Sequence, residues 1–223
     1  MKIIKFVLFI SLIIFSCEVL TKAAAIAGCV ALCAVNVVTT PEAMDLCEKC
    51  MQGANILSCF SDGSTFKLKN NSTLNASEIK KGDSLLTLNN EYLEKYSKVI
   101  FHKKIVGNFK FVTIYLENGK SIKVTNEHGI VFIENNKQFI KTADKIKKGD
   151  ILMTNLGNSK VEKIEHSIEN VKYVIETEDG TVFSNEIFVS TICNEEISGK
   201  KDFKELIQKW RKNHQEFFKN LIK

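Results

Sequence analysis

At 223 residues, with 44% hydrophobic and 26% charged residues, the chain is long enough for one ordinary domain plus a leader and a tail. A single proline and 11 glycines exclude collagen-like, linker-rich and low-complexity architectures. The formal net charge of +5 is matched by the last segment, Lys200 to Lys223, where eight Lys/Arg face three Asp/Glu. The remainder is close to neutral, so a nucleic-acid-binding core, which carries a basic face of its own, is not expected.

In chain order, residues 1–22 read as an export signal. Lys2 and Lys5 give a basic start, Phe6 to Phe15 is almost unbroken apolar sequence, and Ser16 and Ala23-Ala24-Ala25 offer cleavage positions. The run is shorter than the roughly 20 apolar residues of a spanning helix, and an uncleaved signal anchor is the competing reading. Export implies a location in the secretory pathway or outside the cell. Asn70, Asn71 and Asn75 each open an N-glycosylation triplet, which agrees with that location.

Residues 23–58 form a small apolar, cysteine-rich segment. Cys29 and Cys33, then Cys47 and Cys50, have helical spacings, and Thr40-Pro41 between them is a helix cap followed by a first-turn proline. Two antiparallel helices would pair Cys29 with Cys50 and Cys33 with Cys47, staples that suit an oxidising compartment and a small segment. A four-cysteine zinc site is the alternative; no metal site is expected elsewhere, and no cofactor.

Residues 59–196 change character. Short β-rich runs at Ser64–Leu68, Ser84–Leu88, Phe109–Leu116, Ser121–Thr125, Gly129–Ile133, Ile151–Thr154, Lys172–Thr177 and Thr181–Phe183 predict an all-β domain. Glu117-Asn118-Gly119 and Glu178-Asp179-Gly180 read as hairpin turns. An internal repeat runs through it. Ile79-Lys80-Lys81-Gly82-Asp83 returns as Ile146-Lys147-Lys148-Gly149-Asp150, and each copy precedes a strand ending in one of those two turns. Two copies predict a pseudo-twofold β-domain, since a solenoid needs three or more.

Residues 197–223 form a basic tail. Phe203, Leu206, Ile207, Trp210, Phe217, Leu221 and Ile222 fall mainly on one side of a helix, with Lys and Arg on the other. Such a helix either coats a membrane surface or packs back on its own β-domain.

Chemistry concentrates at Ser58-Cys59, at Thr125-Asn126-Glu127-His128 and at Cys193. A cysteine that opens a domain has its thiol next to its own amide nitrogen, from which it reaches the carbonyl of Ser58. Amide resonance opposes the transfer, so the shift needs a proton for the departing nitrogen, which His128 would give as general acid. It also needs a donor to hold the twisted peptide, for which Thr125 is placed. The product is a thioester, opened by water or another nucleophile. The structural alternatives are a Cys59–Cys193 disulfide and a satisfied strand-end His128. His102, His166 and His214 read as structural or surface residues.

On these residues the segment from Cys59 to about Glu196 resembles the Hint domain of hedgehog autoprocessing domains and inteins, and the hedgehog type most closely. Cys59-Phe60-x3-Ser64-Thr65, Ile79-x2-Gly82-Asp83 and Thr125-x2-His128 match in order and spacing, and Cys193 lies where hedgehog-type domains carry their last cysteine. The resemblance implies a horseshoe-like all-β fold, with Cys59 as nucleophile, Thr125 and His128 assisting, and the N-terminal segment as substrate. Two departures narrow it. Inteins end in His-Asn before a nucleophile, whereas this sequence reads Cys193-Asn194-Glu195, so splicing is not expected. Sterol-attaching members carry an acidic residue after the strand aligned with Val99-Ile100-Phe101, where this chain has His102-Lys103-Lys104. The acyl acceptor is therefore left open between water and another nucleophile. A Hint fold serving as a secreted binding module without chemistry is the rival reading.

Overall fold

A computed structural model describes residues 59–89, 91–192, 200–209 and 211–212. The expected signal, the Cys29/Cys33/Cys47/Cys50 hairpin, Ser58 and Cys193 lie outside the described residues. Leu57–Lys223 forms one compact unit of its own.

Among its described residues the regular structure of that unit is β except for one short 3-10 turn and a C-terminal helix. The strands are β1 (Cys59–Phe60), β2 (Thr65–Lys67), β3 (Thr73–Asn75), β4 (Ser84–Leu88), β5 (Glu94–Leu116), β6 (Ser121–Thr125) and β7 (Gly129–Glu134). They continue as β8 (Lys137–Thr142), β9 (Ile151–Thr154), β10 (Gly157–Thr177), β11 (Thr181–Ser184), β12 (Ile187–Ser190) and β13 (Lys201–Asp202). The order is β13-β8-β7-β12-β9-β10-β1-β6-β5-β4, with extra pairings β7–β9 and β10–β5 and β11 attached to β12.

The repeat is realised bond for bond. In the first copy the Gly82 N–H donates to the Val99 carbonyl and the Val99 N–H to the Asp83 carbonyl, both at 2.8 Å. In the second, Gly149 donates to Val161 at 2.9 Å and Val161 to Asp150 at 2.8 Å. Each Asp carboxylate also accepts from the backbone N–H three residues earlier, Asp83 from Lys80 and Asp150 from Lys147. Ile79 and Ile146 anchor the two turns in the core. Both glycines have left-handed backbones, φ +99° for Gly82 and +90° for Gly149, with open space where a Cβ would stand. Substitution there is opposed by backbone conformation and not by crowding. Gly149→Ala is expected to cost about 1 kcal/mol or more, read as a lowered urea midpoint, and Gly82→Ala should cost a similar amount.

Each turn launches a short strand and then a long one, β4 into β5 and β9 into β10. The two long strands pair antiparallel along most of their length, from Val161 opposite Leu116 to Thr177 opposite Val99, with three irregularities. This is why the sequence runs at Phe109–Leu116 and Lys172–Thr177 understate the strands. The earlier halves of β5 and β10 are two-sided and polar, so they show no apolar alternation; each is held extended by the later half of the other strand and, at its start, by β4 or β9.

Of the two expected hairpin turns, Glu117–Gly119 joins β5 to β6, which pair from Phe111–Thr125 to Tyr115–Ser121. The second, at Glu178–Gly180, is a turn (the Gly180 N–H donates to the Thr177 carbonyl at 3.0 Å), but β11 pairs with β12 and not with β10. The hairpin is closed instead by Asn185-Glu186, both at positive φ (48° and 66°), and β7–β8 by Asn135-Asn136 (50° and 59°). Two successive positive φ values define the turn whose twist matches paired strands, and asparagine tolerates that region better than most residues.

β11 and β12 lie between two apolar clusters. Val182, Ile187 and Val189 face the first, with Phe60, Phe66, Ile122 and Ile130. Phe183 and Phe188 face the second, with Leu86, Val131 and Ile140. Phe203, Leu206 and Ile207, on helical residues 203–209, complete that second cluster. The Asp202 carboxylate caps the helix by accepting from the Glu205 N–H at 3.0 Å. Arg211 ties it to the Glu178–Gly180 turn, its Nε donating to the Asp179 carbonyl at 3.2 Å. The described part of the tail thus packs on its own β-domain, where each buried side chain contributes about 1.5–3 kcal/mol of transfer free energy. Among the described residues no helix is long and apolar enough to cross a membrane.

Candidate active site

Cys59 opens β1, a two-residue strand held between β10 and β6. Cys59 is opposite Val174, and Phe60 is opposite both Tyr173 and Val124. Both side chains are fully buried. Phe60 packs edge-on against Phe66 at 5.0 Å between ring centroids and against the His128 ring at 4.6 Å. The strand therefore fixes the Cys59 backbone by pairing on two sides and by an aromatic anchor one residue on.

Thr125 ends β6 and is buried. Its Oγ1 accepts the Cys59 N–H at 3.2 Å. The hydroxyl thus meets the nitrogen of the Ser58–Cys59 peptide bond. In this geometry the hydroxyl oxygen is the acceptor and the amide nitrogen the donor, and the hydroxyl keeps its own proton to donate.

His128 follows in a tight turn, with its N–H donating to the Thr125 carbonyl at 2.9 Å and its own carbonyl accepting from Ala143 at 2.8 Å. The ring is completely buried, and neither ring nitrogen has a partner in hydrogen-bond geometry. Burial pushes its pKa down to about 3, while the nearby Ser190 and Cys59 backbones pull weakly the other way. The ring is neutral at pH 7. A ring neutral at rest must first take up a proton before it can give one to the departing nitrogen.

The Cys59 thiol is raised to about 12, mainly by burial. Lys172 opposes that rise by charge and by a hydrogen bond, and Glu127 and Glu176 add to it. Lys172 went unnoticed in the sequence, where it is one residue of a predicted strand. It stands two residues from Val174, the partner of Cys59, on the same face of β10, and only the register reveals this.

His102 has its Nε2 2.9 Å from the Ala76 carbonyl and its ring stacked on Tyr173 at 6.1 Å. It is engaged in the fold, as expected of a structural residue. His166 is exposed on β10. Asn70, Asn71 and Asn75 are exposed in and beside the β2–β3 hairpin, where an acceptor asparagine must be. No group of three or more metal-ligating side chains occurs among the described residues.

The site thus combines an all-β fold with an opening cysteine, its amide nitrogen on a threonine and a buried histidine three residues further on. The sequence matches the Hint module over residues 47–215, and the chain belongs to that family. Among solved structures it is similar to an intein from a hyperthermophile, at 17% identity and a TM-score of 0.53, covering 60% of this chain and 99% of that one. It is also similar to the Ssp DnaB mini-intein variant M86 (16% identity, TM-score 0.52, 60% of this chain, 94% of that one). A third is the PabCDC21-1 intein (16%, 0.52, 59% and 97%). At these identities the likeness is one of fold. No curated protein sequence matches the chain.

Proposed function

We propose that the domain cleaves its own chain at the Ser58–Cys59 bond by an N-to-S acyl shift. The observation that carries this reading is the Cys59 N–H held on Thr125 Oγ1 at 3.2 Å, within a buried site that also contains His128. The Cys59 sulfur forms a bond to the Ser58 carbonyl carbon and the C–N bond breaks. The thiol proton is lost and a proton is taken up by the Cys59 nitrogen, so the shift is neutral in protons. Thr125 fixes the direction of the nitrogen. His128, neutral at rest, takes a proton as the tetrahedral adduct forms and passes it to that nitrogen. Water or another nucleophile then opens the thioester, releasing the segment that ends at Ser58. Cys193 is a second thiol for this chemistry, either as a reducible partner of Cys59 or as an acceptor. The basic-apolar start at residues 1–22 supports processing in the secretory pathway, where Cys29, Cys33, Cys47 and Cys50 would pair. The apolar and basic residues beyond 212 would meet a membrane surface.

The test is intact mass of the chain from Ala23 to Lys223, with and without dithiothreitol. A fragment ending at Ser58, carried as a thiol adduct, is the expected product. A chain that stays whole under both conditions would favour the binding-module reading.

A further inference from the structure

We infer that Lys172 is a positioning residue for the self-processing step, its ammonium stabilising negative charge on the Cys59 sulfur as the thiol loses its proton and attacks. The inference rests on the reading of Cys59 as nucleophile.

Strand register brings the pair together. Cys59 is directly opposite Val174, and Lys172 shares the Val174 face of β10, so the two are diagonal neighbours across β1 and β10. A diagonal pair lies about 7–8 Å apart at the backbone, a gap a lysine stem spans. Lys172 is only 8% exposed, unusual for a residue whose charge is costly to bury. Its ammonium is seated 4.5 Å from the centroid of the half-buried Phe109 ring, which braces one side of the cation. Phe109 in turn folds over Gly107, where an added Cβ would meet the ring at 2.8 Å. A glycine at that point lets the ring lie flat enough to carry the ammonium.

The arrangement answers the main electrostatic problem of the site. A thiol buried among apolar side chains resists ionisation, and Glu127 and Glu176 oppose it further. Lys172 is the group that counters them, by charge and by a hydrogen bond to the thiol. It acts as a fixed charge and transfers no proton.

Charge and packing predict opposite orders for two substitutions. If the charge matters, Lys172→Met slows dithiothreitol-dependent cleavage about tenfold or more, because an opposite charge at this range shifts a pKa by about 1–3 units. Lys172→Arg then stays within a few-fold of wild type. If Lys172 only fills space, Met, close in size and apolar, keeps the rate, and the bulkier Arg loses it. That result overturns the inference, as does equal loss in both. Melting temperatures check folding, and Lys172→Gln supplies a second uncharged side chain if Lys172→Met does not fold. Peptide-mapped alkylation of Cys59 by iodoacetamide in the same proteins reads the thiolate without cleavage. If wild type is not cleaved but Lys172→Met still slows labelling of Cys59, the self-processing reading fails and the Lys172 inference stands. If labelling is unchanged, the inference falls.

Discussion

Cys59→Ala is expected to leave the chain whole under every condition in which wild type yields a fragment ending at Ser58. Alanine keeps the small buried volume at the start of β1 and the N–H that donates to Thr125, so the fold and the polarised bond survive while the nucleophile is gone. Intact mass reads the result directly. A fragment from Cys59→Ala would transfer the chemistry to another residue. The same site fixes how the wild-type rate depends on pH. A thiol held at about 12 is ionised in about one molecule in 10⁵ at pH 7. The thiolate fraction grows about tenfold with each pH unit below that value. Cleavage in dithiothreitol is therefore expected to accelerate by about that factor per unit from pH 7 to pH 10. His128, neutral throughout this interval, adds no limb of its own.

His128→Gln carries the second large effect. Loss of a positioned proton carrier costs about 10²–10⁴ in rate, and cleavage of this variant should fall by that order while its melting temperature at pH 7 changes little. Stability in acid should move the other way. The unfolded ring titrates near 6.5 and the folded one near 3, so between those values the unfolded state binds the extra proton. Stability then rises with pH across the window, and wild type loses it as the pH falls below 6.5, by about 1.4 kcal/mol per unit in the limit of this one group. Below the folded value the loss levels off. His128→Gln removes that slope, most cleanly between pH 6.5 and 5, before carboxylates titrate. Urea midpoints of both proteins over this range measure it, and parallel slopes would place the titration elsewhere.

Much of the site was legible because its chemistry is local. Cys59 owes its candidacy to the adjacent peptide bond, and Thr125 and His128 to their spacing within one turn, where the His128 N–H donates to the Thr125 carbonyl. The protonation state of His128 was not legible. It depends on how completely the ring is buried by Phe60 and its neighbours, which no run of residues states. Lys172 was hidden for a related reason: a lysine within a β-rich run reads as a solvated position until the register assigns it a face.

The sequence by itself determined the all-β class, the strands whose alternation survives in isolation, and the duplicated Ile-Lys-Lys-Gly-Asp turns, because a left-handed glycine and an aspartate that caps its own turn are short-range demands. Only the tertiary structure decided the reach of β5 and β10, each of whose polar halves is extended by pairing with the later half of the other strand, and the pairing of β11 with β12. It likewise decided where the tail helix spends Phe203, Leu206 and Ile207, since the cluster that receives them is assembled from distant strands. Long-range pairing, register and burial depend on which surfaces meet, and a linear pattern of residue types does not specify that meeting.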